Sequence, residues 1–293
     1  MLTTTVMACP CTKIIAPAMN HNMYHNPIVQ DNISRLASYG YVIAEPERGM
    51  LANGDMGDGR MPSEDILLEY ILRETAHEKD LEGKRVLVTA GATQEKIDPV
   101  RYITNHSTGK MGYAIAKAAM RRGADVTLVS GICAIKPPMF VNKIDAVSAQ
   151  DMFEAVKAHA AESDIIIKAA AVADYRPKNP ADSKIKKSDG SMSIELERTV
   201  DILDWLGKNR REGQFLCGFS TETDNMIENS RAKLIKKNAD MIAANSLRQE
   251  GAGFRTDTNV LTLITSDNVT ELEIMSKYEA ANALLDAIIK IQG

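Results

Sequence analysis

The sequence predicts an α/β protein in which a doubly wound, Rossmann-like domain is preceded by a smaller α/β segment. From Arg85 onward, apolar runs alternate with longer amphipathic segments, the pattern of a parallel sheet with helices on both faces. A charged stretch, HEKDLEGKR at residues 77–85, separates this region from the chain before it. The length of 293 residues, with 44% hydrophobic residues, suffices for one large domain or two ordinary ones.

The elements of the larger region follow from their local patterns. Short apolar runs predict buried strands, and these runs are RVLVTA (85–90), DVTLVS (125–130), DIIIKAAAV (164–172), QFLCGFS and ADMIAAN. Helical spacing of apolar residues predicts helices at 112–124, from the capping Ser148 onward, and at 277–291. Two strand-like runs within 259–276, joined by Ser266-Asp267-Asn268, predict a closing β-hairpin.

The first 76 residues contain fewer elements than a complete α/β domain. They predict a strand in TKIIAPA, a helix in NPIVQDNISRLASYG, a strand in YVIAEP and a helix at 63–75. Two or three strands cannot make a sheet that buries both faces, so we expect the C-terminal part of a larger domain. GMLANGDMGDGRMPS (49–63) holds four glycines and predicts a mobile loop. Asp55 and Asp58 suggest a calcium loop, but the segment lacks the alternating ligands and distal glutamate of an EF-hand.

Charge and composition narrow the function classes. The net charge of −4 gives no general attraction to nucleic acid or to an anionic membrane. No apolar run approaches a membrane-spanning length, and no signal sequence is recognisable, so we expect a cytoplasmic protein. Cys9, Cys11, Cys133 and Cys217 lack zinc-site spacing and are expected to be reduced thiols.

A long loop between the strand at 85–90 and the next helix is the first candidate ligand site. TAGATQEKIDPVRYITNHSTGKMGYAIA (89–116) leaves a strand at the edge where parallel sheets bind ligands, and the following helix N-terminus favours an anion. STGKMG resembles the end of a P-loop. However, Met111 stands where Ser or Thr would hold magnesium, and Thr104 replaces the upstream glycine. A phosphate-binding loop and a purely structural turn both remain open.

Two further segments place charge at strand ends. In KAAAVADYRPKNPADSKIKK, Asp174 follows a buried strand and precedes a basic run of Lys184, Lys186 and Lys187, which is either a solvated loop or part of a site. Lys233 and Lys237 lie four residues apart on one helical face, which suits a triphosphate, although an exposed amphipathic helix would look the same. Asn245 ends a later strand and is a further candidate.

The motifs DPVRYITNHSTGKMG, AAAVADYRP, KIKK, GFSTET and KKNADMIAAN together resemble phosphopantothenate–cysteine ligase, over residues 82–293. PAMNHNMYHNP and LANGDMGDGRMP resemble the tail of phosphopantothenoylcysteine decarboxylase, a flavodoxin-like FMN protein. In the bifunctional proteins of coenzyme A biosynthesis these two enzymes form one chain. The resemblance implies a C-terminal remnant of the decarboxylase domain at 1–76, a linker at 77–83 and a ligase domain at 84–293.

The resemblance to the ligase implies a reaction and its residues. CTP and Mg²⁺ would drive the ligation of 4'-phosphopantothenate to L-cysteine through an acyl-cytidylate, in a homodimer formed by the ligase domain. Asn105 would hold the acyl intermediate, Arg101 precedes it, and Lys184 would lie on a flap over the site. The implied CTP contacts are Ala170, Asp174, Lys184, Val200, Asp201, Ile202, Leu203, Phe219, Lys233 and Lys237. Val200 stands where the family usually has proline, and the resemblance implies no particular magnesium ligands.

The resemblance to the decarboxylase comes with departures. Asn20 matches a substrate-binding asparagine, but Asn53 stands where the family has the cysteine that acts as an acid, and an amide cannot supply that proton. The family's flavin loop and catalytic histidine have no counterpart in this sequence. We therefore expect neither FMN binding nor decarboxylation by this chain alone; the alternative is a fragment of a fully bifunctional enzyme.

Two other readings compete with the ligase. A nicotinamide-dependent oxidoreductase would have the same fold class, but the glycine fingerprint GxGxxG is absent and the lysine pair suits a triphosphate better. A non-catalytic assembly partner would explain the incomplete first segment. The ligase motifs at residues 98–112, 169–177 and 236–245 argue against it.

Overall fold

The computed structural model describes residues 1–186, 191–222, 225–246 and 256–293. The chain forms two compact units, Met1–Glu78 and Lys79–Gly293. The predicted α/β class is confirmed.

The first unit is small and has few buried side chains. Its helices are α1 (Leu2–Ala8), α2 (His21–Tyr24), α3 (Pro27–Ser38) and α4 (Glu64–Thr75), and none of them has a buried residue. Its strands are β1 (Ile14–Ile15), β2 (Val42–Ile43), β3 (Glu47–Met50) and β4 (Met56–Arg60). Strands β1 and β2 pair in parallel, as expected of an α/β segment. Helix α1 was not predicted, because its threonine run lacks a helical signal.

The glycine-rich segment is ordered as a hairpin, and its interpretation as a mobile loop is wrong. Strands β3 and β4 pair antiparallel, with Gly49 opposite Gly57. Gly59 has a φ of 122°, and a Cβ there would collide with the carbonyl oxygen of Met19. The Met19 N–H donates to the Gly59 carbonyl at 2.9 Å. The glycines therefore permit the close approach of a neighbouring backbone.

The second unit contains the main sheet. Its strands are β5 (Arg85–Ala90), β6 (Gln94–Lys96), β7 (Tyr102–Thr104), β8 (Asp125–Ser130), β9 (Asn142–Asp145), β10 (Ile165–Lys168), β11 (Tyr175–Pro177), β12 (Leu196–Arg198), β13 (Phe215–Glu222), β14 (Met241–Ser246), β15 (Thr258–Asn259), β16 (Leu261–Ile264), β17 (Val269–Glu271) and β18 (Met275–Ser276). Its helices are α5 (Lys110–Arg121), α6 (Ala149–Ala160), α7 (Ile202–Asn209), α8 (Met226–Lys236) and α9 (Lys277–Gln292).

Eight strands form one sheet in the order β17-β16-β14-β13-β10-β5-β8-β9. The strands from β14 to β9 are parallel, and β16 and β17 add an antiparallel edge, so the predicted hairpin is confirmed. The chain fills the sheet from β5 outward to β9, then returns to β10 and continues the other way. The carboxyl ends of β5 and β10 therefore form the topological switch point, where doubly wound folds bind ligands.

Helices cover both faces of this sheet. On one face α5 and α9 bury side chains such as Ile115 and Leu284 against Val86 and Val88 of β5. On the other face α6, α7 and α8 pack around Leu87, which points the opposite way from its neighbours along the strand. A sheet buried on both faces explains why its strands read as continuous apolar runs.

The expected linker at 77–83 is partly packed on the second unit. Leu81 is 1% exposed within the core, and its N–H donates to the Arg122 carbonyl at 3.0 Å. Arg122 is itself buried and forms ion pairs with Asp80 at 2.5 Å and Asp286 at 2.6 Å. Asp80 of this charged stretch is thus a partner for a buried guanidinium.

Candidate active site

A cleft of ≈ 500 Å³ opens at the carboxyl ends of β10, β13 and β14. It is lined by residues 105–112 at the start of α5, residues 168–172 and Asp174 after β10, residues 219–221 of β13, and Lys233, Asn245, Asn259 and Lys277. The lining contains Asn105, Ala170, Asp174, Phe219 and Lys233, five of the residues predicted for the ligase site.

The loop that enters α5 forms one wall of the cleft. Gly109, the residue before the helix, has a φ of 77°, which glycine adopts without strain. Gly112 lies so close to β5 that a Cβ would come within 2.5 Å of the Ala90 Cβ. The N-terminus of α5 is therefore held against the sheet, and its first N–H groups suit an anion in the cleft.

Asn105 lies where that loop approaches the end of β10. Its Nδ2 group donates to the carbonyls of Val172 at 3.1 Å and Ala171 at 3.4 Å. Ala170 is 5% exposed, and its N–H donates to Thr89 Oγ1 at 3.1 Å. Asn105 is thus tied to the backbone after β10, and Ala170 is tied to a buried threonine side chain of β5.

The two predicted triphosphate lysines have different surroundings. Lys233 lines the cleft and donates from Nζ to the Phe219 carbonyl at 2.9 Å. Lys237 lies outside the lining, where its Nζ pairs with Asp201 at 2.9 Å and with Asp204 at 3.1 Å. Burial disfavours its charge, but the two carboxylates together raise the pKa of Lys237.

The segment 200–203 starts α7 and contributes mainly to the core. Ile202 and Leu203 are 2% and 3% exposed, so their side chains cannot reach a ligand in the cleft. Val200 remains 40% exposed, and Asp201 caps the helix by accepting the Asp204 N–H at 3.0 Å. Burial raises the pKa of Asp201, yet Lys237 outweighs it, and the net effect is a lowered pKa.

Arg101 and Lys184 are not among the residues that line the cleft. Arg101 binds the buried Asp98 through Nε at 3.0 Å, and its Nη2 donates to the Ile185 carbonyl at 3.1 Å. Asp98 also accepts the Ile185 N–H at 3.2 Å, so Asp98 and Arg101 together hold the segment that carries Lys184. The Arg101 guanidinium holds the pKa of Asp98 well below its usual range. Lys184 is exposed, and Lys187 lies outside the described residues.

Sequence reasoning did not single out three of the polar residues in the cleft. Lys168 ends an apolar strand, whereas Asn259 and Lys277 come from the C-terminal region, far away along the chain. Lys277 donates to the Thr256 carbonyl, and Lys110 pairs with Asp257 at 2.6 Å. The candidate Asn245 does line the cleft. Its Oδ1 is buried, and among the described residues no donor reaches it, as expected of a group that meets a ligand.

The first unit has a smaller pocket of ≈ 380 Å³ beside the β3–β4 hairpin, which both Asn20 and Asn53 line. Asn20 accepts the Asn22 N–H at 2.9 Å and so caps α2. Asn53 donates from Nδ2 to Asp55 at 2.6 Å. The two predicted decarboxylase residues thus lie at one pocket, and Asn53 offers an amide there.

One group of potential metal ligands occurs within the described ranges. His21, His25 and Asp58 present ligand atoms within 4.8 Å of one another. His25 Nε2 lies 2.9 Å from Asp58 Oδ2, and His21 Nδ1 accepts the Asp58 N–H at 3.2 Å, which engages that lone pair. Two imidazoles do not suit Mg²⁺, which prefers oxygen ligands. This cluster is therefore no magnesium site.

Across the described part of the chain, no helix is both long and apolar enough to cross a bilayer.

Comparison with known proteins identifies relatives of both units. Family models match residues 81–291 (DNA/pantothenate metabolism flavoprotein C-terminal domain) and residues 1–76 (Flavoprotein). The Bacillus subtilis coenzyme A biosynthesis bifunctional protein CoaBC is 47% identical over 98% of this chain and 72% of its own length. A cysteine/cysteine sulfinic acid decarboxylase from an unknown prokaryotic organism is 43% identical over 99% of this chain and 83% of its length. A crystal structure of a CoaBC C-terminal domain has 46% identity and a TM-score of 0.63, covering 73% of this chain and 98% of that one.

Proposed function

The chain belongs to the family of bifunctional coenzyme A biosynthesis proteins, as its motifs predict, and on that premise we propose that its second unit is a CTP-dependent phosphopantothenate–cysteine ligase. The observation that carries the proposal is the cleft at the topological switch point. Asn105, Asp174 and Lys233 come from motifs that lie far apart in the sequence, and all three line this cleft. A cleft with several cations and a helix N-terminus suits a polyanionic nucleotide.

The first step would activate the acid. A carboxylate oxygen of 4'-phosphopantothenate attacks the α-phosphorus of CTP, and the bond to pyrophosphate breaks, which leaves an acyl-cytidylate. Lys233 and the first N–H groups of α5 stabilise the charge that develops on the phosphates. Asp174 is the one carboxylate among the described lining residues, so it would hold Mg²⁺ together with the phosphates. The metal would supply charge neutralisation there.

The second step would form the amide. The free amine of cysteine attacks the acyl carbon, the bond to CMP breaks, and the nitrogen loses a proton. Asn105, anchored on the carbonyls of Ala171 and Val172, is placed to orient the acyl group. Lys184 would approach from the segment that Asp98 and Arg101 hold, and would assist in this step.

The choice of CTP and the homodimer rest on the family resemblance. Val200, Asp201, Ile202 and Leu203 would contribute backbone contacts to the nucleotide, since the side chains of Ile202 and Leu203 are in the core. Sedimentation of the purified chain should give twice the monomer mass. A monomer with full ligase activity would refute the homodimer and leave the ligase intact.

The ligase is tested by incubating the purified chain with CTP, 4'-phosphopantothenate, cysteine and Mg²⁺. We expect pyrophosphate release and formation of 4'-phosphopantothenoyl-cysteine. ATP in place of CTP tests the nucleotide preference, and omission of cysteine tests for the acyl-cytidylate. No pyrophosphate with either nucleotide would refute the proposed function.

For the first unit, we propose that decarboxylation is absent from this chain alone, because Asn53 replaces the acid and cannot donate the proton. The family includes flavoproteins, and a 43%-identical relative is named as a decarboxylase, so decarboxylation is the competing activity. Purified protein should lack the flavin absorbance. It should also release no CO₂ from 4'-phosphopantothenoyl-cysteine when FMN is added. Stoichiometric flavin or CO₂ release would overturn this proposal.

A further inference from the structure

Lys168 occupies an unusual position in the second unit. It is the last residue of β10, flanked in register by Thr89 of β5 and Gly218 of β13, at the centre of the sheet. The three residues before it are buried isoleucines. Its side chain is half-buried and lines the cleft at the switch point.

The cleft contains four lysines, and three of them have partners within the protein. Lys110 pairs with Asp257, Lys233 donates to the Phe219 carbonyl, and Lys277 donates to the Thr256 carbonyl. No described residue forms an ion pair or a side-chain hydrogen bond with Lys168. Lys168 thus presents to the cleft a half-buried ammonium that no hydrogen bond or ion pair within the described residues engages, and such a group is available to an anion that enters the cleft.

The charges around Lys168 come from three directions. Lys233 on α8 repels its positive form, whereas Asp201 at the start of α7 and Asp174 after β10 attract it. Burial has the largest effect, and together these influences lower the pKa of Lys168 to about 8. The amine of Lys168 therefore binds its proton weakly in the ligand-free protein. An anion bound beside it would stabilise the protonated form.

We propose that Lys168 binds the nucleotide in this cleft, and that its ammonium donates a hydrogen bond to a phosphate oxygen. In the ligand-free protein, none of the described residues takes the place of that phosphate. The inference rests on the proposed ligase function and assigns that site a residue outside the family's motif positions. The negative phosphates replace the missing partner, so nucleotide binding keeps Lys168 protonated. Above pH 8, binding therefore requires uptake of a proton from solution.

The affinity for CTP should fall as the pH rises through the pKa of Lys168. At pH 7 Lys168 is already mostly charged in the free protein, so a further fall in pH should change the nucleotide affinity little. As the pH rises from 7 to 9, the free protein loses this proton, and the Kd for CTP should rise about tenfold. Terminal phosphates are fully ionised over this range, so the nucleotide does not produce the effect.

The test measures CTP binding by calorimetry in the presence of Mg²⁺, without 4'-phosphopantothenate, at pH 7, 8 and 9. Buffers of different ionisation enthalpy report proton uptake. Lys168→Met should weaken binding about ten- to a hundredfold at pH 7 and reduce proton uptake at pH 8. Lys277 lines the same cleft and burial lowers its pKa as well, so it accounts for any proton uptake that remains. Lys168→Arg should keep affinity at pH 7 and lose the pH dependence, because arginine stays charged. Lys157→Met, an exposed lysine on α6, is the control with the same charge change.

Thermal unfolding separates this role from a structural one. Without nucleotide, Lys168→Met should unfold at the same or a higher temperature than the wild type, because the change breaks no hydrogen bond or ion pair and removes a charge that burial disfavours. Unchanged CTP affinity and proton uptake in Lys168→Met, in a chain whose ligase activity is intact, would overturn the role of Lys168 alone. A wild-type chain that neither binds CTP nor releases pyrophosphate would overturn the proposed function, and this inference with it.

Discussion

Each of the two units contains a pocket, and the two pockets differ in the charges that line them. The unit whose sheet is buried on both faces has the more highly charged pocket. The cleft of the second unit holds four lysines and lies where six parallel strands place their carboxyl ends. The pocket of the first unit is lined by one cation, Arg60, and by Met19, Met50 and Met61. The helices of the first unit bury no residue, whereas α5 alone buries eight. Charged groups can be held in fixed positions where the surrounding core is rigid.

Removal of the Asn105 side chain should abolish most of the activity that we assign to the cleft. Asn105→Ala should lower product formation at least about a hundredfold, since preorganised donors to a reacting acyl group contribute that much. Product and pyrophosphate are measured by chromatography under saturating CTP. Asn142→Ala, which changes an exposed asparagine at the start of β9, is the matched control. Equal rates in Asn105→Ala and wild type would show that the cleft is not where the ligation occurs.

A second test compares Lys233 with Lys237. Lys233→Met should raise the KM for CTP about tenfold or more, because its Nζ lies in the cleft. Lys237→Met should have a smaller effect, since Asp201 and Asp204 already offset that charge and the residue lies outside the lining. Initial rates at varied CTP concentration provide both values. A larger effect at Lys237 would mean that the nucleotide lies nearer to α7 than the cleft indicates.

The parallel sheet could be predicted from the sequence because strand and helix periods are local properties. RVLVTA and DVTLVS form strands over the predicted residues, and Ser148 forms the predicted cap. The prediction of a mobile loop at residues 49–63 is wrong because glycine content alone does not distinguish a mobile loop from a tight hairpin. What decides between them is the approach of Met19 to Gly59, a contact across forty residues.

The motif residues of the cleft were predictable, but its full charge pattern was not. Lys168 ends an apolar run, and only the folded structure shows that it lines the cleft. Lys277 reaches the cleft because the C-terminal hairpin and α9 pack beside α5. Likewise, sequence spacing placed Lys237 beside Lys233 but gave no sign of the carboxylates on α7 that pair with it.

A third test concerns Asp98, which holds the segment that carries Lys184. Asp98→Asn cannot pair with Arg101 as an anion, so the KM for cysteine and for CTP should rise severalfold and the unfolding temperature should fall. Because Arg101 lowers the pKa of folded Asp98, the stabilising contribution of this carboxylate is fully present above the unfolded-state pKa of about 3.9. It is lost progressively as the pH falls from there towards the folded-state pKa.

The measurement is urea unfolding of wild type and Asp98→Asn at pH 7, 5 and 3.5. The difference between the two proteins should be constant from pH 7 to pH 5 and shrink at pH 3.5. Asp267→Asn, in the exposed turn between β16 and β17, is the control. A difference that persists undiminished at pH 3.5 would argue against the ion pair as its source.

The thiols of the two units should differ in their reactivity, with little effect on ligase turnover. Cys11 of the first unit is exposed and Cys9 is half-buried. Their mutual hydrogen bond lowers the pKa of Cys9 and raises the pKa of Cys11, so Cys9 should react first with a thiol reagent at pH 8 and Cys11 more slowly. Burial raises the pKa of Cys217 to about 12, which leaves roughly one thiolate in ten thousand at that pH. Mass spectrometry should therefore find Cys9 and Cys11 labelled and Cys217 unlabelled, with ligase turnover unchanged. Loss of turnover on labelling these two thiols would show that the first unit supports the chemistry of the second.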